Sequence, residues 1–220
     1  MGKIETNGKH LASKPRRKFM RVGLFTGAAM AIANSPLLAP LMKAAQAAPL
    51  DLVHDTYNGL LAFIVPGPDA YSQSQGMTSA TPGGVDANVA EVLIGTMDLS
   101  VPFLPNFSAT VAAILNSLGQ SVDPYATSPF QSPFANLKYA EKVFVLQIMD
   151  STDSLKSLGG ILPTFVAFMC YSDAGTFDPA TRTIAGEPVG WTISSYSGVA
   201  DGRDEFLGYF RENHAGDGRR

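Results

Sequence analysis

Apolar residues recur at helical spacing through much of the chain. In "PLDLVHDTYNGLLAFIV", Leu52, Val53, Tyr57, Leu60, Leu61 and Ile64 fall on one stripe, and the run stops at Pro66-Gly67-Pro68. A loop rich in Ser, Gln, Thr and Gly is expected from Gly67 to Gly84. Asp86 then reads as an N-cap for a helix carrying Val89, Val92, Leu93 and Met97. "NFSATVAAILNSLG" repeats the design: Ser108 as cap, Val111, Ile114, Leu115 and Leu118 as stripe, Gly119 as C-terminal cap. "PYATSPFQSPFANL" reads as a second loop. "LKYAEKVFVLQIMDS" is apolar nearly all round past Lys142, the pattern of a central helix. "TDSLKSLGGILPTFVAFMCY" reads as a helix pair broken at Gly159-Gly160, or as one helix kinked near Pro163. "GEPVGWTISSYSG" leans towards a short strand or extended arm, and "GRDEFLGYF" towards a short closing helix. These patterns predict a mainly α fold. The expectation is a single irregular helical domain over 48–213 with long ordered loops and a short extended C-terminal arm, then a flexible tail at 214–220.

The first 47 residues follow a different rule. Arg16 and Arg17 precede Phe19 and Met20, and an apolar run extends from Val22 to Ala33. Pro36 and Pro40 are expected to end any helix there, and Ala45-Gln46-Ala47 forms a small-x-small cleavage pattern. A charged start, a short apolar stretch and such a site predict a removable signal peptide over 1–47. The run is too short to span a bilayer, which takes ~20 apolar residues, so no stable membrane span is expected after cleavage. The order Arg16-Arg17-Lys18-Phe19-Met20-Arg21 resembles a twin-arginine (Tat) signal, with Pro15 where Ser or Thr is usual. The plainer alternatives are a general secretory signal with a basic start, or a retained anchor. The resemblance implies export of a folded protein by the Tat translocase, to the periplasm, cell envelope or exterior.

Charge sharpens this division. Residues 1–47 hold 8 of the 16 basic residues and 1 of the 19 acidic ones, so the remainder carries 8 − 18 = −10. Such a balance disfavours binding to nucleic acid or to anionic membrane surfaces. The single cysteine, Cys170, excludes an internal disulfide. Its apolar neighbours suggest a packed thiol, with a nucleophile or an intermolecular disulfide as the alternatives.

No catalytic kit is legible. The chain has no G-x-G-x-x-G, no phosphate-binding loop, no C-x-x-C-H and no Cys/His cluster. His54 and His214 lack a second ligand at metal spacing and read as surface residues. "SSYSG" lacks the first Gly of a nucleophile elbow. Asp150 and Asp153 fit helix capping, and Asp201, Asp204 and Glu205 fit a helix start. No catalytic, cofactor-binding or metal residues are therefore assigned. A stand-alone exported binding or structural protein of the envelope is one reading of such a chain.

The other reading comes from a resemblance. Ile64-Val65-Pro66, the run Phe165 to Tyr171, and Gly190-Trp191 with Tyr196 and Gly198 resemble the small companion subunits of GMC-type (glucose–methanol–choline) flavin dehydrogenases, the gluconate 2-dehydrogenase small-subunit-like family. The likeness is clearest over the last fifty residues. It implies a non-catalytic, mostly helical escort without its own flavin, needed for folding, stability or Tat export of a large flavoprotein subunit that holds FAD. Interface physics then nominates Trp191, Tyr196, Arg203 and Tyr209 as partner-binding residues, because Trp, Tyr and Arg dominate interface hot spots. Trp191 in the domain's own core is the competing reading.

Overall fold

The structure is a computed structural model; it describes residues 25–36, 38–172, 175–178, 180–184 and 188–195. The chain is mainly helical. Residues 25–33 are helical (α1), followed by α2 (Ala39–Ala45), α3 (Leu50–Ile64), α4 (Ala70–Gln75), α5 (Ala90–Ser100), α6 (Phe107–Val122), α7 (Pro133–Asn136), α8 (Tyr139–Ser151), α9 (Asp153–Tyr171) and α10 (Val189–Ile193). Between α9 and α10 lies a small antiparallel hairpin, β1 (Phe177–Asp178) with β2 (Thr183–Ile184).

The centre is α3, which touches α4, α5, α6, α7 and α9. Its stripe buries Val53, Tyr57, Leu60 and Leu61, while Leu52 and Ile64 sit at the margin. The side chain of Tyr57 is enclosed by apolar groups, yet its hydroxyl is satisfied: it donates to the Ser108 carbonyl at 2.9 Å and reaches Met97 Sδ at 3.3 Å. Burial, reinforced by the nearby Asp98 carboxylate, pushes this phenol well above its usual value. α6 packs across α3 with Val111, Ile114 and Leu115 inward, and α5 contributes Leu93 and Met97. Val92, expected on the α5 stripe, is 37% exposed.

Several local readings change. Asp86 does not cap α5, whose N-cap is Val89; its carboxylate accepts from the Gly83 N–H at 2.7 Å and pins the preceding turn. Ser108 lies inside α6. Its N–H and Oγ donate to Asp98 at 2.8 and 3.0 Å, so α5 supplies the side chain that satisfies the α6 N-terminus. Gly119 does not end α6, which runs on to Val122; it is buried where the helix passes Phe134. The stretch 67–84 contains α4, capped by Asp69, which accepts from Ser72 N at 2.9 Å. Pro40 opens α2 from its first turn rather than ending a helix. α9 is one continuous helix with Pro163 inside it, not a broken pair. α8 is not central: it buries only Lys142, Val145 and Met149, and Phe144 is 52% exposed.

α7 is four residues long and owes its position to polar contacts. Ser132 caps it through Ala135 N (3.1 Å) and donates to Asn116 Oδ1 (2.6 Å), while Asn116 donates to Thr56 Oγ1 (2.9 Å). This chain of bonds ties α3, α6 and α7 together without an unsatisfied buried side-chain atom among the described residues. It also holds Ala135 against Gly59. A Cβ on Gly59 would lie 2.7 Å from the Ala135 Cα and 2.8 Å from its Cβ. Gly59→Ala should therefore cost about 1–3 kcal/mol by overpacking, despite the better helix propensity of Ala. Urea unfolding with an unchanged or increased midpoint would contradict this close approach.

The described residues before residue 48 pack against the helices that follow. Phe25, Ala28, Ala29, Ile32 and Leu38 belong to the main hydrophobic cluster, and α2 lies along α6. Phe25 meets Phe165 edge-on (4.9 Å, 88°) and Phe107 at 5.7 Å and 60°. Burying Phe25 and Ile32 contributes on the order of 1.5–3 kcal/mol each.

α9 is long and apolar enough to cross a membrane by length and composition. In the fold its apolar stripe, Leu155, Leu158, Leu162, Phe165, Val166 and Met169, faces the core.

Candidate partner interface

Gly190 determines where Trp191 stands. Pro188 is the N-cap of α10, and Trp191 N donates to its carbonyl at 2.9 Å. Gly190 is buried against the last turn of α9. A Cβ there would lie 2.6 Å from the Ser172 carbonyl oxygen and 2.7 Å from that of Cys170. Only glycine lets α10 rest on the end of α9. The neighbouring Trp191 is half-buried and has contacts of its own, so it is neither a core residue nor a free one.

Within the stretch expected to be a strand or extended arm, Val189–Ile193 is helical. The β-leaning Val189, Thr192 and Ile193 take helical geometry because Pro188 sets the entry and α9 supplies the surface on which α10 packs. The extended piece lies earlier, in the hairpin. There Asp178 accepts from Thr181 Oγ1 and Ala180 N, both at 2.8 Å, and these bonds hold its carboxyl below the usual carboxylate value.

Exposed apolar residues gather in the same stretch. Phe168 and Tyr171, one turn apart on α9, are 66% and 48% exposed. Phe177 and Ile184, directly paired across the hairpin, are also exposed. Of the nominated partner residues, Trp191 lies among the described residues, on α10; Tyr196, Arg203 and Tyr209 lie outside them, as does His214. Arg16, Arg17 and Phe19 of the signal also lie outside them. Ala45 is buried in the last turn of α2, and Ala47 follows that helix.

Cys170 is fully buried, and burial pushes its thiol up to about 12. A protonated, enclosed thiol is the packed residue its neighbours suggest and a poor nucleophile at neutral pH. His54 is half-buried on α3. Among the described residues, no group of three or more His, Cys, Asp or Glu side chains is placed to hold a metal.

Sequence reasoning missed Lys142. It is fully buried, donating from Nζ to Gln75 Oε1 at 2.9 Å and to the Gly59 carbonyl at 3.1 Å. Its Nζ also lies 5.5 Å from the Phe134 ring centroid. Burial lowers its pKa to about 7, against the opposing pull of Asp69. The signal was present: Lys142, Val145 and Met149 stand at i, i+3 and i+7, so the buried face of α8 includes the lysine.

No protein-family model matches this sequence, and no curated protein or solved structure matches it at a significant level.

Proposed function

We propose that this chain is a non-catalytic companion subunit of an exported, FAD-dependent GMC-type dehydrogenase, folding with the large flavoprotein and carrying the twin-arginine signal that takes both through the Tat translocase. The observation that carries the reading is the Gly190-Trp191 element. It is part of the family resemblance, and in the fold its glycine seats a short helix on α9, the helix that carries exposed Phe168 and Tyr171, while its tryptophan stays half-buried. Aromatic residues of this kind are the usual anchors of protein interfaces. In this reading the flavin belongs to the partner, and the site of action is the periplasm, envelope or exterior.

The test is co-expression with a GMC-type flavoprotein encoded beside this chain. Exported flavin-linked dehydrogenase activity should fall to background when this chain is omitted. Arg16→Lys together with Arg17→Lys keeps the charge but loses the planar guanidinium pair, and should leave both proteins inside the cell. Export of active flavoprotein at the same level without this chain would overturn the proposal.

A further inference from the structure

The segment that resembles the apolar part of an export signal fills a groove in the domain. Phe25, Ala28, Ala29 and Ile32, at i, i+3, i+4 and i+7, are all buried. Phe25 enters between Phe107, at the start of α6, and Phe165 on α9. Further along, α2 lies on α6, where a cavity of about 280 Å³ remains between Ala44, Ala47 and Ala48 on one side and Ala109, Ala112 and Ala113 on the other. Small residues on both walls allow helices to approach closely, and the imperfect fit at the α2 end marks a contact less tightly filled than the core around Phe25.

Ala45, the first small residue of the cleavage pattern, is buried in this seat. Proteolysis needs an accessible, locally unfolded strand of chain, so cleavage there requires the segment to leave the groove first. Its departure would uncover Phe107, Phe165 and the alanine face of α6 together, an apolar patch of the kind that marks binding sites.

We propose that the apolar groove that begins between Phe107 of α6 and Phe165 of α9 and continues along α6 is a helix-docking site. Residues 25–33 and 38–45 fill it in this chain, and after their removal it takes an apolar helix of the flavoprotein partner. That helix has an aromatic residue followed by small and aliphatic residues at i+3, i+4 and i+7. The mode is helix-in-groove recognition, and the chain's own segment states the chemistry of the occupant. The identity of the partner rests on the companion-subunit reading; the groove itself does not.

The experiment uses the full chain with a protease site inserted between Ala47 and Ala48, cut after folding and then freed of the released N-terminal fragment. A labelled synthetic peptide of residues 25–47 should bind the cut protein one to one, and its Phe25→Asp version at least tenfold more weakly. Prior assembly with the flavoprotein should block the peptide. Failure to take up the peptide, or equal binding of both peptides, overturns the groove. A complex that still binds the peptide at full stoichiometry removes the groove as the partner's seat but leaves the companion-subunit reading intact. Peptide binding with no flavoprotein complex at all sinks that reading, and the partner helix with it. Should the cut protein lose its helical circular dichroism, hydrogen exchange in the intact chain decides: exchange at residues 28–32 should rise at least tenfold when the flavoprotein is added, and no rise overturns the proposal.

Discussion

Phe107→Ala is expected to lower the unfolding free energy by about 3–5 kcal/mol, and the midpoint of thermal unfolding by on the order of 10 °C. Phe107 is fully buried at the first position of α6, against Phe25. The cavity left by truncation cannot easily collapse, because the adjacent backbone is fixed from two sides. Ser108 N is held by Asp98 at 2.8 Å, and its carbonyl by the Tyr57 hydroxyl at 2.9 Å. A site that cannot relax falls towards the upper end of the range. Urea unfolding of Phe107→Ala, Phe25→Ala and the double variant separates the contributions. If α1 is part of one cooperative unit with α6, the pair should couple by about 0.5–1.5 kcal/mol, as aromatic pairs in contact do. A cost for Phe107→Ala below about 1 kcal/mol would mean that the ring is not enclosed as described.

What the sequence made legible follows from how local each cause is. The stripes of α3 and α6 depend only on 3.6-residue periodicity, and their inward residues were readable. The caps were not, because the group that satisfies the α6 N-terminus is Asp98, on another helix and ten residues from Ser108. Composition made α8 look central. Which of its faces has a neighbour is a property of the other helices, and Phe144 is left in the open. Trp191 was identified as a candidate anchor, but its setting was read as extended because local β-propensity outweighed a docking contact visible only in three dimensions: Gly190 against the end of α9. The likeness of 22–33 to an export signal gave no hint that Phe25 and Ile32 also complete a core, since both uses need the same apolar residues.

Lys142 gives the protein a measurable pH signature. Its pKa in the fold is about 7, against 10.5 for an exposed lysine, chiefly because burial penalises the charge. Below pH 7 both the folded and unfolded chains carry the proton, and the full penalty is present. Above it the folded chain releases the proton while the unfolded chain keeps it. Stability therefore rises with pH from about 7, by about 1.4 kcal/mol per unit. The rise meets an opposing effect near pH 9, where unfolded Cys170 begins to ionise while the buried thiol, raised to about 12, does not; stability from that group is lost as pH climbs from about 9 to 12. Tyr57 and Tyr71, both raised above 10.0, add to that loss at higher pH. The expected profile climbs by roughly 2–3 kcal/mol between pH 7 and 9 and turns over just beyond. Lys142→Met should flatten the climb. It removes the titrating group but leaves the Gly59 carbonyl and Gln75 Oε1 without their donor, at a cost of about 1–3 kcal/mol. That cost does not vary with pH, so the difference between wild type and variant should widen by roughly 2–3 kcal/mol from pH 7 to 9. Parallel urea-unfolding profiles for the two proteins across that interval would show that the ammonium group is not buried as described.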